Sequence, residues 1–208
     1  MDLRYLLAAL IGYLLGCLNL AYFLARRKGL DIRREGTGNP GASNTMMLLG
    51  WKAGILVGLH DIGKAILATW LCSRLFPDLA LAPVVAGVFC VLGHLFPFYL
   101  CFRGGKGFAS MLGMIVALNW RFALILAAVI VLVVLITDYI VVGTVTTVVS
   151  YPVFCLVTRQ FLAAAIIGVV SLVILFKHRA NFVRILQGTE VGLRRANRGE
   201  MRIDKDPE

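Results

Sequence analysis

The chain has 208 residues, 60% of them hydrophobic and 15% charged, with a formal net charge of +10. A mean hydropathy of +0.86 is too apolar for a soluble domain of this length, so the class is an all-α, polytopic transmembrane helical bundle. The basic residues are clustered rather than spread, which argues against a nucleic-acid partner.

Seven apolar segments follow in order, at 3–25, 46–76, 79–102, 108–118, 122–137, 139–158 and 161–176. The first ends in Arg26-Arg27-Lys28 instead of a small-residue cleavage site, so it reads as a span and not as a signal peptide. With seven spans, the basic clusters Arg26/Arg27/Lys28/Arg33/Arg34, Arg103/Lys106 and 177–205 all fall on one side. The other side carries only Arg4, Arg74, Arg121 and Arg159. Excess Lys and Arg mark the cytoplasmic face, which predicts an outside N-terminus and a cytoplasmic C-terminus. Residues 1–193 then form the membrane domain and 194–208 a basic cytoplasmic tail. The five cysteines (Cys17, Cys72, Cys90, Cys101, Cys155) lie in or beside apolar runs with no C-x-x-C pair. They read as small buried hydrophobes, with no disulfide or metal site implied.

Between the first two segments lies GTGNPGASN, residues 36–44, with three glycines, one proline, two asparagines and two hydroxyls. Such a run is neither helix nor strand interior. Glycine admits left-handed backbone, Pro40 fixes one dihedral and removes a donor, and the short polar side chains support turns. The result is a tight loop rich in amides, suited to holding an anion.

The second apolar segment is interrupted by Lys52, His60, Asp61 and Lys64, the last three within about 100° of one another on a helix of ~3.6 residues per turn. Ionisable groups in a span face the bundle interior. Asp61 and Lys64 either pair with each other at i,i+3 or meet a substrate. The fourth segment has only eleven residues, about 16 Å at a helical rise of ~1.5 Å, against a hydrocarbon core of roughly 30 Å. The preceding turn Arg103-Gly104-Gly105-Lys106-Gly107 is therefore expected to dip into the protein, placing amides and a helix N-terminus beside Lys106, an arrangement that attracts phosphate. His94 lies a few residues before that turn, as a packed histidine or as a group that orients substrate. After the last span, His178, Asn181 and Arg184 recur at i, i+3 and i+6 as a polar stripe. Trp51, Trp70 and Trp120 sit near span ends, where an interfacial belt belongs. No Walker or dinucleotide fingerprint occurs.

Four motifs, GTGNPGASN, the Asp61-x-x-Lys64 helix, GHLFPFYLCFRGGKGFAS (93–110) and KHRANFVRILQGTE (177–190), resemble in order and spacing the bacterial acyl-phosphate:glycerol-3-phosphate acyltransferases. The resemblance runs from the first span to about Glu190. It implies a small seven-span enzyme of the bacterial cytoplasmic membrane with its active site on the cytoplasmic face. The reaction implied moves a fatty acyl group from acyl phosphate to the 1-position of glycerol 3-phosphate, giving lysophosphatidic acid. No cofactor and no metal are implied, and an acyl-phosphate-producing enzyme is the expected functional neighbour. Carried over by motif, Thr37, Lys106 and His178 are the catalytic candidates. Gly38, Asn39, Gly41, Ser43, Asn44, Lys64, Arg103, Gly104, Gly105, Gly107 and Asn181 are candidates for binding substrate and phosphate. Asp61, His94 and Glu190 are expected to orient or brace.

Two departures stand out. The family carries an arginine three residues after the asparagine that closes the first loop; here that position is Met47. After the fifth span, a Tyr-x-Ser-x-x-Ser pattern is replaced by Tyr139-Ile-Val-Val-Gly-Thr144, with one hydroxyl lost. The alternatives to the main reading are an acyl-phosphate-dependent enzyme with another acceptor and a non-catalytic phosphate- or lipid-binding paralogue.

Overall fold

The computed structural model describes residues 2–192 and Arg194. The basic tail expected at 194–208 therefore lies, past Arg194, outside the described residues. Within them the chain is helical, with no strand.

The first apolar segment is two helices end to end. Helix α1 (Leu3–Cys17) starts at Asp2, whose carboxylate accepts the Arg4 amide, and stops at Leu18, where the backbone is extended. Asn19 restarts the chain by accepting the Tyr22 amide, capping α2 (Leu20–Arg27). The second segment is also divided, into α3 (Ala42–Leu49) and α4 (Trp51–Leu75). They meet at Gly50, whose φ of 89° favours glycine. Helix α5 (Ala82–Leu95) carries proline in its first turn, where the missing amide hydrogen costs nothing, and ends before Pro97 and a 3-10 turn at Phe98–Leu100. Then come α6 (Phe108–Leu118), α7 (Trp120–Thr137), α8 (Ile140–Val157), α9 (Phe161–Lys177) and α10 (Arg179–Leu186).

Among the described residues, five stretches are long and apolar enough to cross a bilayer: Leu3–Arg27, Trp51–Leu75, Ala82–Leu100, Trp120–Thr137 and Ile140–Val157. A sixth is α9 taken with α10, a pair bent by 49°. The eleven-residue α6 is the short one.

In lipid no hydrophobic force drives helices together, so close backbone contact through small residues has to do it. A Cβ on Gly12 or Gly16 would run into the carbonyls of Ala86 or Cys90, so α1 lies directly on α5. Gly93 returns the contact against the Tyr13 carbonyl, and Gly113 seats α6 on the Ile62 carbonyl of α4. The apolar core sits among α5, α6, α8 and α9, where Leu95, Met111, Met114, Ile115, Ile167 and Ile174 are fully buried. Helix α7 is outermost and buries only Leu126, presenting Ile125, Leu132 and Ile136 outward as a lipid-facing surface. Cys17, Cys72, Cys90 and Cys155 are buried and unpaired, as expected of small hydrophobes. Cys101 is the exception: it is exposed, at the start of the second glycine turn with φ 54°.

Candidate active site

The first glycine loop is built around a buried side chain. Asn44, at 0% exposure in α3, donates its amide to the carbonyls of Ile32 (3.1 Å) and Glu35 (3.0 Å) and accepts the Thr37 amide at 2.9 Å. Glycine is required opposite it, because a Cβ on Gly36 would collide with the Asn44 side-chain oxygen. Gly36 and Gly38 have φ of 58° and 76°. Thr37 accepts the Asn39 amide through its hydroxyl at 3.3 Å, and Thr45 closes the start of α3 by donating to the Gly41 carbonyl at 2.9 Å. Ser43 is exposed in the first turn of α3. Asn44, expected to bind substrate, instead uses both amide hydrogens and its oxygen to hold the loop's own backbone.

The second glycine turn folds back on the end of α5. The Gly104 amide donates to Leu95 and the Gly105 amide to His94, each at 3.0 Å. A Cβ on Gly104 would strike the His94 carbonyl, and one on Gly105 would strike Nε2 of the His94 ring. Gly107, with φ 92°, starts α6 and lies under Ile174 and Leu95. The turn thus enters the protein, Gly105 and Gly107 being buried, while Arg103 is exposed. Its backbone leads the positive end of α6 toward Lys106, as the short fourth segment implied.

From the far end of the sequence, α10 brings a polar chain onto that turn. Lys106 Nζ donates to Asn181 Oδ1 at 2.6 Å, Asn181 Nδ2 donates to Glu190 Oε1 at 2.6 Å, and Arg184 Nε pairs with Glu190 Oε2 at 2.6 Å. His178, buried at the α9–α10 bend, donates Nδ1–H to the Ile174 carbonyl at 2.9 Å, which makes Nε2 the basic nitrogen of the neutral ring. Glu190 thus lies between Arg184 and Asn181, in contact with both.

Lys64 forms the i,i+3 pair with Asp61, one of its two readings from the sequence. Its ammonium, 3% exposed, lies 2.8 Å from the Leu18 carbonyl, 2.9 Å from Asp61 Oδ1 and 3.0 Å from His94 Nδ1. Lys64 is thus buried as the ion-pair partner of Asp61, with His94 and the Leu18 carbonyl around the same ammonium. His60 is nearby, its Nδ1 3.6 Å from the same carboxylate oxygen. Among the described residues no three His, Cys, Asp or Glu side chains gather as a metal-holding group.

Several residues that join the two loops were not singled out in the sequence. Asn19, 2% exposed, donates Nδ2 to the Pro40 carbonyl at 3.1 Å, and its amide meets the Tyr99 hydroxyl, which itself donates to Cys17 at 2.7 Å. Arg33 pairs with Asp31 and reaches the Leu100 carbonyl at 3.4 Å. The available signal was an asparagine in the middle of an apolar run. Met47 is half-buried, and Lys52, the next cation along the chain, is exposed and lies 5.9 Å from the Trp51 ring. A cavity of about 470 Å³ opens between the start of α5 and the α8–α9 turn, lined by Val84, Arg159 and Gln160 among others. It touches none of the residues described above.

The glycerol-3-phosphate acyltransferase family model matches residues 6–188. The chain belongs to that family. A glycerol-3-phosphate acyltransferase 1 from Oceanobacillus iheyensis is 36% identical over 200 residues, spanning 91% of this chain and 95% of the relative. A glycerol-3-phosphate acyltransferase from Clostridioides difficile is 37% identical over 191 residues, 89% and 94% of the two chains. The crystal structure of PlsY, an integral membrane glycerol 3-phosphate acyltransferase in its glycerol 3-phosphate form, superposes with a TM-score of 0.85 at 30% identity. It covers 93% of this chain and 97% of that one; the lysophosphatidic acid form gives 0.80. In this acyltransferase the family motifs are linked in the fold: the first glycine turn is tied through Asn19, whose neighbouring Leu18 carbonyl meets Lys64, the second turn packs on His94 beside the same lysine, and α10 reaches the second turn through Asn181 and Lys106.

Proposed function

We propose that this glycerol-3-phosphate acyltransferase takes its acyl group from acyl phosphate and transfers it to the 1-hydroxyl of glycerol 3-phosphate, releasing lysophosphatidic acid and phosphate. The observation that carries this reading is the tie of both glycine turns to one buried Asp61–Lys64–His94 group, the first through Asn19 and the adjacent Leu18 carbonyl and the second through His94, with Lys106 of the second turn joined to Asn181. Two phosphates have to be held together for the reaction, and amide-lined turns with a lysine suit that. Acyl phosphate is a mixed anhydride with a good leaving group, so no covalent enzyme intermediate is required. Attack by the glycerol hydroxyl on the acyl carbon forms the ester C–O bond, and the acyl C–O bond to phosphate breaks with its electron pair leaving on phosphate. Orientation and electrostatic stabilisation of the departing phosphate supply the acceleration. The hydroxyl proton passes to the departing phosphate or to His178 Nε2.

Thr37 and the amides around Gly38–Gly41, with Ser43 and Asn39, are assigned to one phosphate. Lys106, Arg103 and the Gly104–Gly107 turn are assigned to the other, with Asn181 fixing Lys106. The turns share an end of the bundle with Arg26, Arg27, Lys28 and Lys177, so the rule that basic residues stay inside supports a cytoplasmic site. Counting α6 and α9 as spans gives seven and an outside N-terminus. The acyl chain lies among the apolar helices, and the donor is supplied by an acyl-phosphate-producing enzyme.

The test is purified protein in proteoliposomes with palmitoyl phosphate. Phosphate release is expected only when glycerol 3-phosphate is present and is expected to vanish in Lys106→Ala; release independent of acceptor, or none, rejects the reading. A His178→Gln variant whose remaining rate loses its pH dependence assigns the proton to His178. Met47 favours a second reading, a different phosphorylated acceptor, and the same assay with a panel of alcohol phosphates decides between them.

A further inference from the structure

Pro40 in the first glycine turn and Gly105 in the second are 65 positions apart in sequence, yet a path of hydrogen bonds and short covalent links joins them. It starts at the Pro40 carbonyl in the first turn, which accepts Asn19 Nδ2. The neighbouring carbonyl, Leu18, is open because the chain breaks there, and it accepts Lys64 Nζ. Lys64 continues to His94 Nδ1, and the His94 carbonyl accepts the Gly105 amide of the second turn.

The Lys64 ammonium has three neighbours: the Leu18 carbonyl, Asp61 Oδ1 and His94 Nδ1. His94 Nδ1 lies 3.0 Å from that ammonium and 3.3 Å from Asp61 Oδ1, so it either accepts from the lysine or donates to the carboxylate. On the other side of the ring, a Cβ on Gly105 would strike Nε2. Asp61 neutralises the lysine, so the path adds no net charge to the site.

We propose that Asn19, Lys64 and His94 set the spacing between the two glycine turns, making Asn19 and His94 positioning residues for acyl transfer. Asn19 acts through Pro40 and His94 through the ring beneath Gly105; neither needs to touch substrate. The catalytic part of this proposal rests on the reaction proposed above, whereas the coupling of the turns does not. Acyl transfer between two separately held phosphates is sensitive to their separation, and misplacement by about 1 Å can cost a hundredfold in rate.

Two variants isolate the links while keeping their surroundings. Asn19→Ser retains a cap for α2 but is too short to reach Pro40. His94→Asn keeps an acceptor near the Nδ1 position for Lys64 but removes the ring from beneath Gly105. A nitroxide on Cys101, which is exposed while the other four cysteines are buried, reports the mobility of the second turn without turnover. Both variants are expected to raise that mobility and to lower kcat for palmitoyl phosphate and glycerol 3-phosphate about tenfold, with melting temperatures near wild type. The double variant is expected to lose about thirtyfold, not the hundredfold product, because both changes break one path. Unchanged mobility in Asn19→Ser overturns the coupling whatever the rates do, and single-variant rates within twofold of wild type, or losses that multiply, overturn the positioning role. If wild type is itself silent with these substrates, the proposed reaction fails and the mobility measurement alone decides the coupling. If one variant does not fold, the other carries the test by itself.

Discussion

Lys106 and Asn181 meet at 2.6 Å across 75 positions of sequence, and Asn181 passes the contact on to Glu190. The asparagine is an acceptor toward the lysine and a donor toward the carboxylate, a combination that neither Asp nor Leu can reproduce. Asn181→Asp keeps the acceptor but sets two carboxylates facing each other. A loss of about 1–3 kcal/mol is expected from the uncompensated group, together with loss of acyl transfer. Adding Glu190→Gln supplies a donor again and should restore the melting temperature in detergent, which thermal unfolding of the single and double variants checks.

The α1–α5 contact has no room for side chains at its glycines. Gly12→Val would drive a branched side chain into the Ala86 carbonyl, backbone that cannot yield, and folded protein should be lost from the membrane fraction. Gly168, in α9, has nothing near its Cβ position, so Gly168→Ala should be neutral or stabilising by about 0.5–1 kcal/mol. Size-exclusion profiles and melting curves of the two variants provide the contrast.

Met47 is half-buried in α3, directly after the first glycine loop, and Lys52 does not compensate for the missing cation because it lies over Trp51 at the exposed edge. Met47→Arg would restore a fork suited to phosphate. The KM for glycerol 3-phosphate should fall about tenfold, equivalent to ~1.4 kcal/mol, with kcat little changed. Steady-state kinetics measure it, and an unchanged KM would mean the natural acceptor is bound by other groups.

Asp31 anchors the approach to the first loop through Arg33. The hydrogen bond from Arg33 holds its carboxyl below the usual carboxylate range. A pKa depressed in the folded state contributes stability above the ordinary value, about 4, and that contribution is lost as pH falls through the lowered folded value. Wild type should therefore lose more melting temperature than Asp31→Asn between pH 6 and pH 3, and at pH 6 the variant should be the less stable of the two.

Much of this protein was legible in the chain because the relevant properties are local. Apolar runs long enough for a bilayer, basic residues gathered between them, and glycines where backbone must bend identify a helical membrane protein with two phosphate-suited turns. The shortness of α6 even indicated that Arg103–Gly107 folds inward. Which of its two readings Lys64 follows, and what the Asn44 side chain holds, were not legible. A lysine in a span and an asparagine in a polar loop present the same letters whether they face substrate or backbone. Only the fold brought the Leu18 carbonyl, Asp61 and His94 around one ammonium, and the Ile32 and Glu35 carbonyls around one amide. Asn19 shows the same division. Its capping of α2 is a matter of three residues, but its bond to Pro40 exists because the α1–α2 break and the first glycine loop come together in space. Hydropathy, charge and turn chemistry belong to single segments and can be read one segment at a time. Hydrogen-bond saturation of a buried group depends on which distant segments surround it, and packing alone decides that.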